Sequence, residues 1–158
     1  GGYEQALSNF ARQANGHPSQ GLPKVGYALS AALAGDLGRG VWAMRRALRI
    51  DPHAVHYVYI GDTLRPKVEY LVGRYRSRSD RGDEGATFML ASLHYLLRDT
   101  ASARDEIDLA VANGDRNPST VNLEQLIAAE SGGAEDRKET AVSGLSRDDR
   151  PQTADDYR

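Results

Sequence analysis

At 158 residues, 40% apolar and 27% charged, the chain is long enough for one domain with a core of ordinary quality and a tail. Its 20 basic and 22 acidic residues leave a net charge of −2, so no whole-protein field selects nucleic acid or an anionic membrane. The absence of cysteine excludes disulfides, thiolate metal sites and a cysteine nucleophile.

The richest apolar run, Val25 to Ala34, is about ten residues, whereas a membrane span needs ~20, so no membrane insertion is expected. Gly1-Gly2-Tyr3-Glu4 has neither the basic start nor the apolar middle of a signal peptide. A start without Met, inside what reads as a repeat, marks the chain as an expected fragment. The expectation is a soluble protein of the cytoplasm or an envelope compartment.

Helical periodicity runs through the chain. Residues 3–15 carry Ala6, Leu7, Phe10 and Ala14 on one stripe, and Gly16 and Pro18 stop that helix. A second helix, 22–34, is built on Val25, Ala28, Leu29, Ala32 and Leu33. Gly35-Asp36 turns the chain, with Asp36 suited to cap a third helix that buries Val41, Met44, Ala47 and Leu48 and ends before Pro52. Gly40 in that helix reads as the small residue where two antiparallel helices touch.

Residues 53–62 have strand-like Val, Tyr and Ile content but no strand to pair with. They are expected to form an extended or one-turn connector under the neighbouring helices. Helix resumes from Thr63 on Leu64, Val68, Leu71, Val72 and Tyr75, and again after Asp83 on Phe88, Ala91, Tyr95 and Leu96. Thr100 is expected to cap the next helix, which ends at Gly114. Ser119 or Thr120 is expected to cap a last short one with Leu123, Leu126 and Ile127. From Ser131 onward only Val142, Leu145 and Tyr157 could anchor the chain. The division is thus a helical domain over 3–130 and a disordered tail over 131–158.

A fixed step underlies this layout. Ala6 and Gly40, Phe10 and Met44, and Pro18 and Pro52 each lie 34 residues apart. Lys24-x2-Tyr27-Ala28-x2-Ala31, then Gly40-x3-Met44-x2-Ala47 and Pro52, follow one pattern. Thr87-x2-Leu90-Ala91-x2-His94, then Ala103-x3-Ile107-x2-Ala110, follow it again, with Arg98-Asp99-Thr100 where Gly35-Asp36-Leu37 stood. From Ala47 to Ala110 is 63 residues, so a shortened unit lies between, its first helix lost in the connector. Over 3–117 this pattern resembles the tetratricopeptide repeats.

The resemblance implies an all-α, right-handed α-solenoid of antiparallel helix pairs, with about two and a half repeats and a capping helix. It is similar to degenerate bacterial arrays without an assigned activity. It also implies a non-catalytic protein-protein interaction scaffold that holds a peptide segment in a concave groove, with no cofactor. The groove positions carried over are Val25, Leu29, Leu33, Phe88, Ser92 and Tyr95. They lack the Lys, Asn and Arg set with which some members clamp a C-terminal carboxylate, so an apolar or aromatic-contacting peptide fits better.

Other residues offer competing readings. Arg65, Lys67, Arg74, Arg76, Arg78 and Arg81, interleaved with Tyr70 and Tyr75, form a basic patch. It suits a solvated helix face, an anion, a nucleic-acid strand or the acidic tail at Asp148-Asp149 and Asp155-Asp156; nucleic acid is disfavoured among the partners. Trp42 shares a face with Arg45, Arg46 and Arg49, either as an interface anchor or as a residue covered by the connector. His53 and His56 beside Asp51 fall short of a metal set, and His94 reads as a core residue. Gly35-x4-Gly40 follows a helix and lacks the Lys-Ser/Thr end of a phosphate loop. Self-association of a larger multi-repeat protein is a further alternative.

Overall fold

The computed structural model describes residues 2–16 and 19–143, without the side chains of Ala14 and of residues 134–143. The helix stop at Pro18, the stripe position Ala14 and the anchors Val142, Leu145 and Tyr157 lie outside that description.

Among the described residues the fold is all-α, with no strand. The helices are α1 (Gly2–Gly16), α2 (Leu22–Leu33), α3 (Leu37–Ile50), α4 (Arg65–Ser79), α5 (Glu84–Leu96), α6 (Thr100–Ala112) and α7 (Pro118–Ser143). Consecutive helices pack as neighbours, except that α3 and α4 are separated by the connector; α2 also meets α4. Two further contacts reach across the chain: α3 packs on α5, and α3 packs on α7, four helices later.

The turns repeat one geometry. Gly35, Gly82, Arg98 and Gly114 take positive φ (98°, 85°, 64° and 93°), and an aspartate follows each. The amides of Asp36, Asp83, Asp99 and Asp115 donate back to the carbonyls of Ala31, Arg78, His94 and Ala110, five residues earlier. This left-handed closure satisfies carbonyls that a helix end would otherwise leave open. Asp36, Asp83 and Asp99 then cap the next helix by accepting from the amides of Arg39, Ala86 and Ser102. The α2–α3 and α5–α6 turns therefore match atom for atom at the 63-residue step.

Gly40 is where α2 and α3 touch: a Cβ there would sit 3.0 Å from Ala32 Cβ and 3.2 Å from the Ala28 carbonyl. The core runs through Val25, Ala28, Met44, Leu48, Val68, Leu71, Phe88 to Leu90, Leu93, Ile107, Leu123 and Ile127. The connector joins it through buried Ala54, Val55 and Ile60, in successive turns without strand pairing. Only α4 stands between α3 and α5 in the order of elements.

Three expectations need correction. Asp99, not Thr100, caps α6, because its carboxylate reaches the Ser102 amide. Asn117, not Ser119 or Thr120, serves the start of α7: its side-chain oxygen accepts from the Ser119 amide and its carbonyl from Thr120 and Val121. Ser119 and Thr120 are buried and occupied elsewhere. Nor is the last helix short, since α7 continues to Ser143 into the stretch read as tail. The rest of that stretch, 144–158, lies outside the described residues.

Candidate binding surfaces

An apolar groove of about 770 Å³ opens between α1, α2, the connector and the start of α4. Phe10 and Gly26 form part of its floor, where α1 approaches α2 so closely that a side chain at Gly26 would strike the Phe10 ring. Leu29 and Leu33 line it from α2, with Val25 fully enclosed beneath. Tyr57, Val58 and Tyr59 of the connector form the opposite wall, and Lys67 stands at the rim over the Tyr3 ring, 5.2 Å from its centroid. Tyr3, Leu22, Tyr57 and Tyr59 are exposed here, Tyr59 to 85%.

The groove positions expected on α5 are not part of this surface. Phe88 and Ser92 are fully enclosed and Tyr95 nearly so, because α3, α4, α6 and α7 surround α5. The Ser92 hydroxyl donates to the Phe88 carbonyl within the helix. Sequence reasoning missed Tyr57 and Tyr59, since the connector has no periodicity from which to place a side chain. Their exposure has one cue in retrospect: they alternate with the inward Val58 and Ile60.

The six cations of the basic patch, five on α4 and Arg81 in the turn after it, divide. Arg76 pairs with Glu106 of α6, and Lys67 belongs to the apolar groove. Arg74, Arg78 and Arg81 gather at a second cleft near the α2–α3 turn, which Arg65 does not line. Tyr75, read from sequence both on the apolar stripe and between the cations, is buried with the stripe; its hydroxyl donates to the Leu37 carbonyl at 2.8 Å, and burial pushes its pKa up.

Trp42 is 58% exposed, with the Arg46 guanidinium 5.6 Å from its ring. The connector does not cover it: Ala54 and Val55 are buried in the core, Ala54 against Gly21. Beside it, Lys24 donates to the Gln20 carbonyl at 3.0 Å. Burial, then the nearby Arg46 charge, lowers its pKa.

Arg45, placed by sequence on the exposed face with Trp42, turns inward. It donates to Asp115 at 2.7 Å, Thr120 Oγ1 at 3.0 Å and Ser119 Oγ at 3.2 Å, and lies 4.3 Å from the Phe88 ring centroid. Burial alone would raise the Asp115 pKa. The Arg45 hydrogen bond, the Asn117 amide, the Arg45 charge and Thr120 together outweigh that and hold it below the usual carboxylate value.

His56 latches the connector. Its Nδ1 lies 2.9 Å from the Tyr95 hydroxyl and 3.1 Å from Glu130 Oε1, while Tyr95 donates to the same carboxylate oxygen at 2.6 Å. The Arg98 guanidinium donates to the His56 carbonyl at 3.1 Å. His94 is largely buried, with Nδ1 3.5 Å from Asp99 and no partner for Nε2. Among the described residues no three His, Asp or Glu side chains are grouped so as to hold a metal ion. No described helix is long and apolar enough to cross a membrane.

No family model, no curated protein and no solved structure matches this chain.

Proposed function

We propose that this chain is a non-catalytic interaction module of degenerate tetratricopeptide-like hairpins. It holds an apolar, aromatic-contacting peptide in the groove between α1, α2, the connector and α4. The matching α2–α3 and α5–α6 turns support the repeat, with α7 folding back on α3 as the capping helix. One observation carries the binding reading. Of the eight large apolar or aromatic side chains exposed among the described residues, four surround this single groove. Exposed apolar groups scattered singly need no explanation, whereas a concave cluster marks a contact surface. Preformed helical walls reduce the ordering that binding requires, and the tyrosines provide rigid contact area.

Peptide selection from a random displayed library, followed by anisotropy titration of the enriched sequences, tests this. Leu22→Glu and Tyr59→Ser, both at exposed positions, are expected to weaken the selected peptides tenfold or more while leaving the melting temperature unchanged. Trp42→Ser, outside the groove, leaves binding intact. Failure to enrich any peptide, or enriched peptides indifferent to both groove variants, refutes the reading.

A further inference from the structure

Arg74 and Arg78 lie four apart on one face of α4, and Arg81 follows in the turn just past the helix end at Ser79, with Ser77 beside them. With Gly35 and Leu37 of the α2–α3 turn and Asp83, they line a cleft of about 530 Å³. Two of the guanidinium groups are already oriented. Arg78 donates through Nε and Nη2 to Asp83 Oδ2 at 2.8 and 2.7 Å, while Oδ1 of the same carboxylate caps α5. Arg74 donates to the Tyr70 hydroxyl at 2.7 Å. The Arg81 guanidinium has no partner among the described residues. Asp36, beside the turn, is engaged with Arg39 and its amide. Three arginines and one aspartate leave the lining with a net +2.

We propose that this cleft binds the phosphate group of a small phosphomonoester. Arginine presents forked N–H donors that match phosphate oxygens, and a dianion offsets the +2 that a single carboxylate would only halve. A cleft many times the ~30 Å³ share of one water leaves room for an organic moiety beside the phosphate. A nucleic-acid strand fits less well, because it needs charges along its path. The next cation towards the N-terminus on this face is Lys67, ~10 Å along the helix from Arg74 and sitting over Tyr3. The site is independent of the peptide groove.

Calorimetric titration of the full chain at low salt with glucose 6-phosphate, inorganic phosphate and sulfate tests the assignment. Glucose 6-phosphate is expected to bind saturably at one site, more tightly than sulfate. The Arg74→Gln/Arg81→Gln double variant is expected to lose tenfold or more in affinity with an unchanged melting temperature. Arg65→Gln, which removes one charge as Arg81→Gln alone does but lies outside the cleft, stays within twofold of the native chain. Absence of saturable binding, or a loss in Arg65→Gln as large as in Arg81→Gln alone, overturns the site. Binding of inorganic phosphate with exclusion of the ester overturns the monoester assignment.

Discussion

Arg45 and Asp115 meet at 2.7 Å across 70 positions of sequence, and their contact ties α3 to the loop that launches α7. The carboxylate is 6% exposed and the guanidinium 20%, so little water screens the pair. Ser119 and Thr120 complete the hydrogen bonding of Arg45, and the Asn117 amide donates to the second oxygen of Asp115. Removing one partner therefore leaves an enclosed charge without compensation. Arg45→Met and Asp115→Ala should each destabilise the fold by about 2–4 kcal/mol. Urea melts in a double-mutant cycle should give a coupling of roughly 1–3 kcal/mol. Strict additivity would show that α7 docks without this pair.

Asp115 also sets an expected acid response. Its folded pKa is depressed below 3.8, so its stabilisation is fully present above that unfolded-state value. The contribution is lost as pH falls from that value through the folded pKa, because over that range the unfolded state binds the proton and the folded state does not. Asp99 shifts the same way through the Ser102 hydrogen bonds, but it is half exposed and contributes less. Thermal melts between pH 6 and roughly pH 2 should show native stability declining below pH ~4. Asp115→Asn should flatten part of that decline. An unchanged slope in the variant would assign the acid sensitivity elsewhere.

Much of the fold is legible from local signals. The 3.6-residue stripes, Asp36 as a cap, Gly40 as a contact point and the recurrence of Gly35-Asp36 as Arg98-Asp99 all act within a few residues. The turn at Arg98 is legible only through its partner, because a non-glycine at φ 64° is disfavoured and no composition rule proposes it. Arg45 fails for the opposite reason. An arginine beside Trp42 and Arg46 reads as solvated, and a partner 70 positions away leaves no periodic mark. On α5 a cue was available: the run from Ala86 to Leu93 has no charged residue and only Thr87 and Ser92 as polar ones, which indicates a central helix rather than a groove wall. The peptide groove itself takes Tyr57, Val58 and Tyr59 from the connector, whose alternation is too short to fix side-chain direction without tertiary packing.

Gly40 and Tyr75 should prove coupled. A Cβ at Gly40 would sit 2.5 Å from the Tyr75 hydroxyl, which itself donates to the Leu37 carbonyl at the start of α3. Gly40→Ala gains up to ~1 kcal/mol of helix propensity. Overpacking against Tyr75 and Ala32 should outweigh that, for a net loss of about 1–2 kcal/mol. Tyr75→Phe removes the second hydrogen bond of the Leu37 carbonyl, which keeps its helical partner, at a cost of about 0.5–1.5 kcal/mol. In the Tyr75→Phe background the alanine has lost its closest obstacle, so the double variant should be less destabilised than the sum. Denaturant melts of all four proteins decide the matter, and additivity within ~0.3 kcal/mol would contradict the close approach.

Trp42 provides an optical check on the surface around α3. Its indole is more than half exposed, and Arg46 and Arg39 of the same helix and Lys24 of α2 lie near it. Iodide should quench its fluorescence efficiently, and more efficiently than caesium, because local positive charge concentrates the anion. Raising ionic strength with a neutral salt should narrow the difference as the field is screened. Trp42→Ala should change stability by less than ~0.5 kcal/mol, as expected of a surface position without a buried contact. Poor iodide quenching together with a large loss of stability on substitution would place the connector, or α1, over the indole, and would require α3 to be packed differently from the arrangement that brings Arg45 to Asp115.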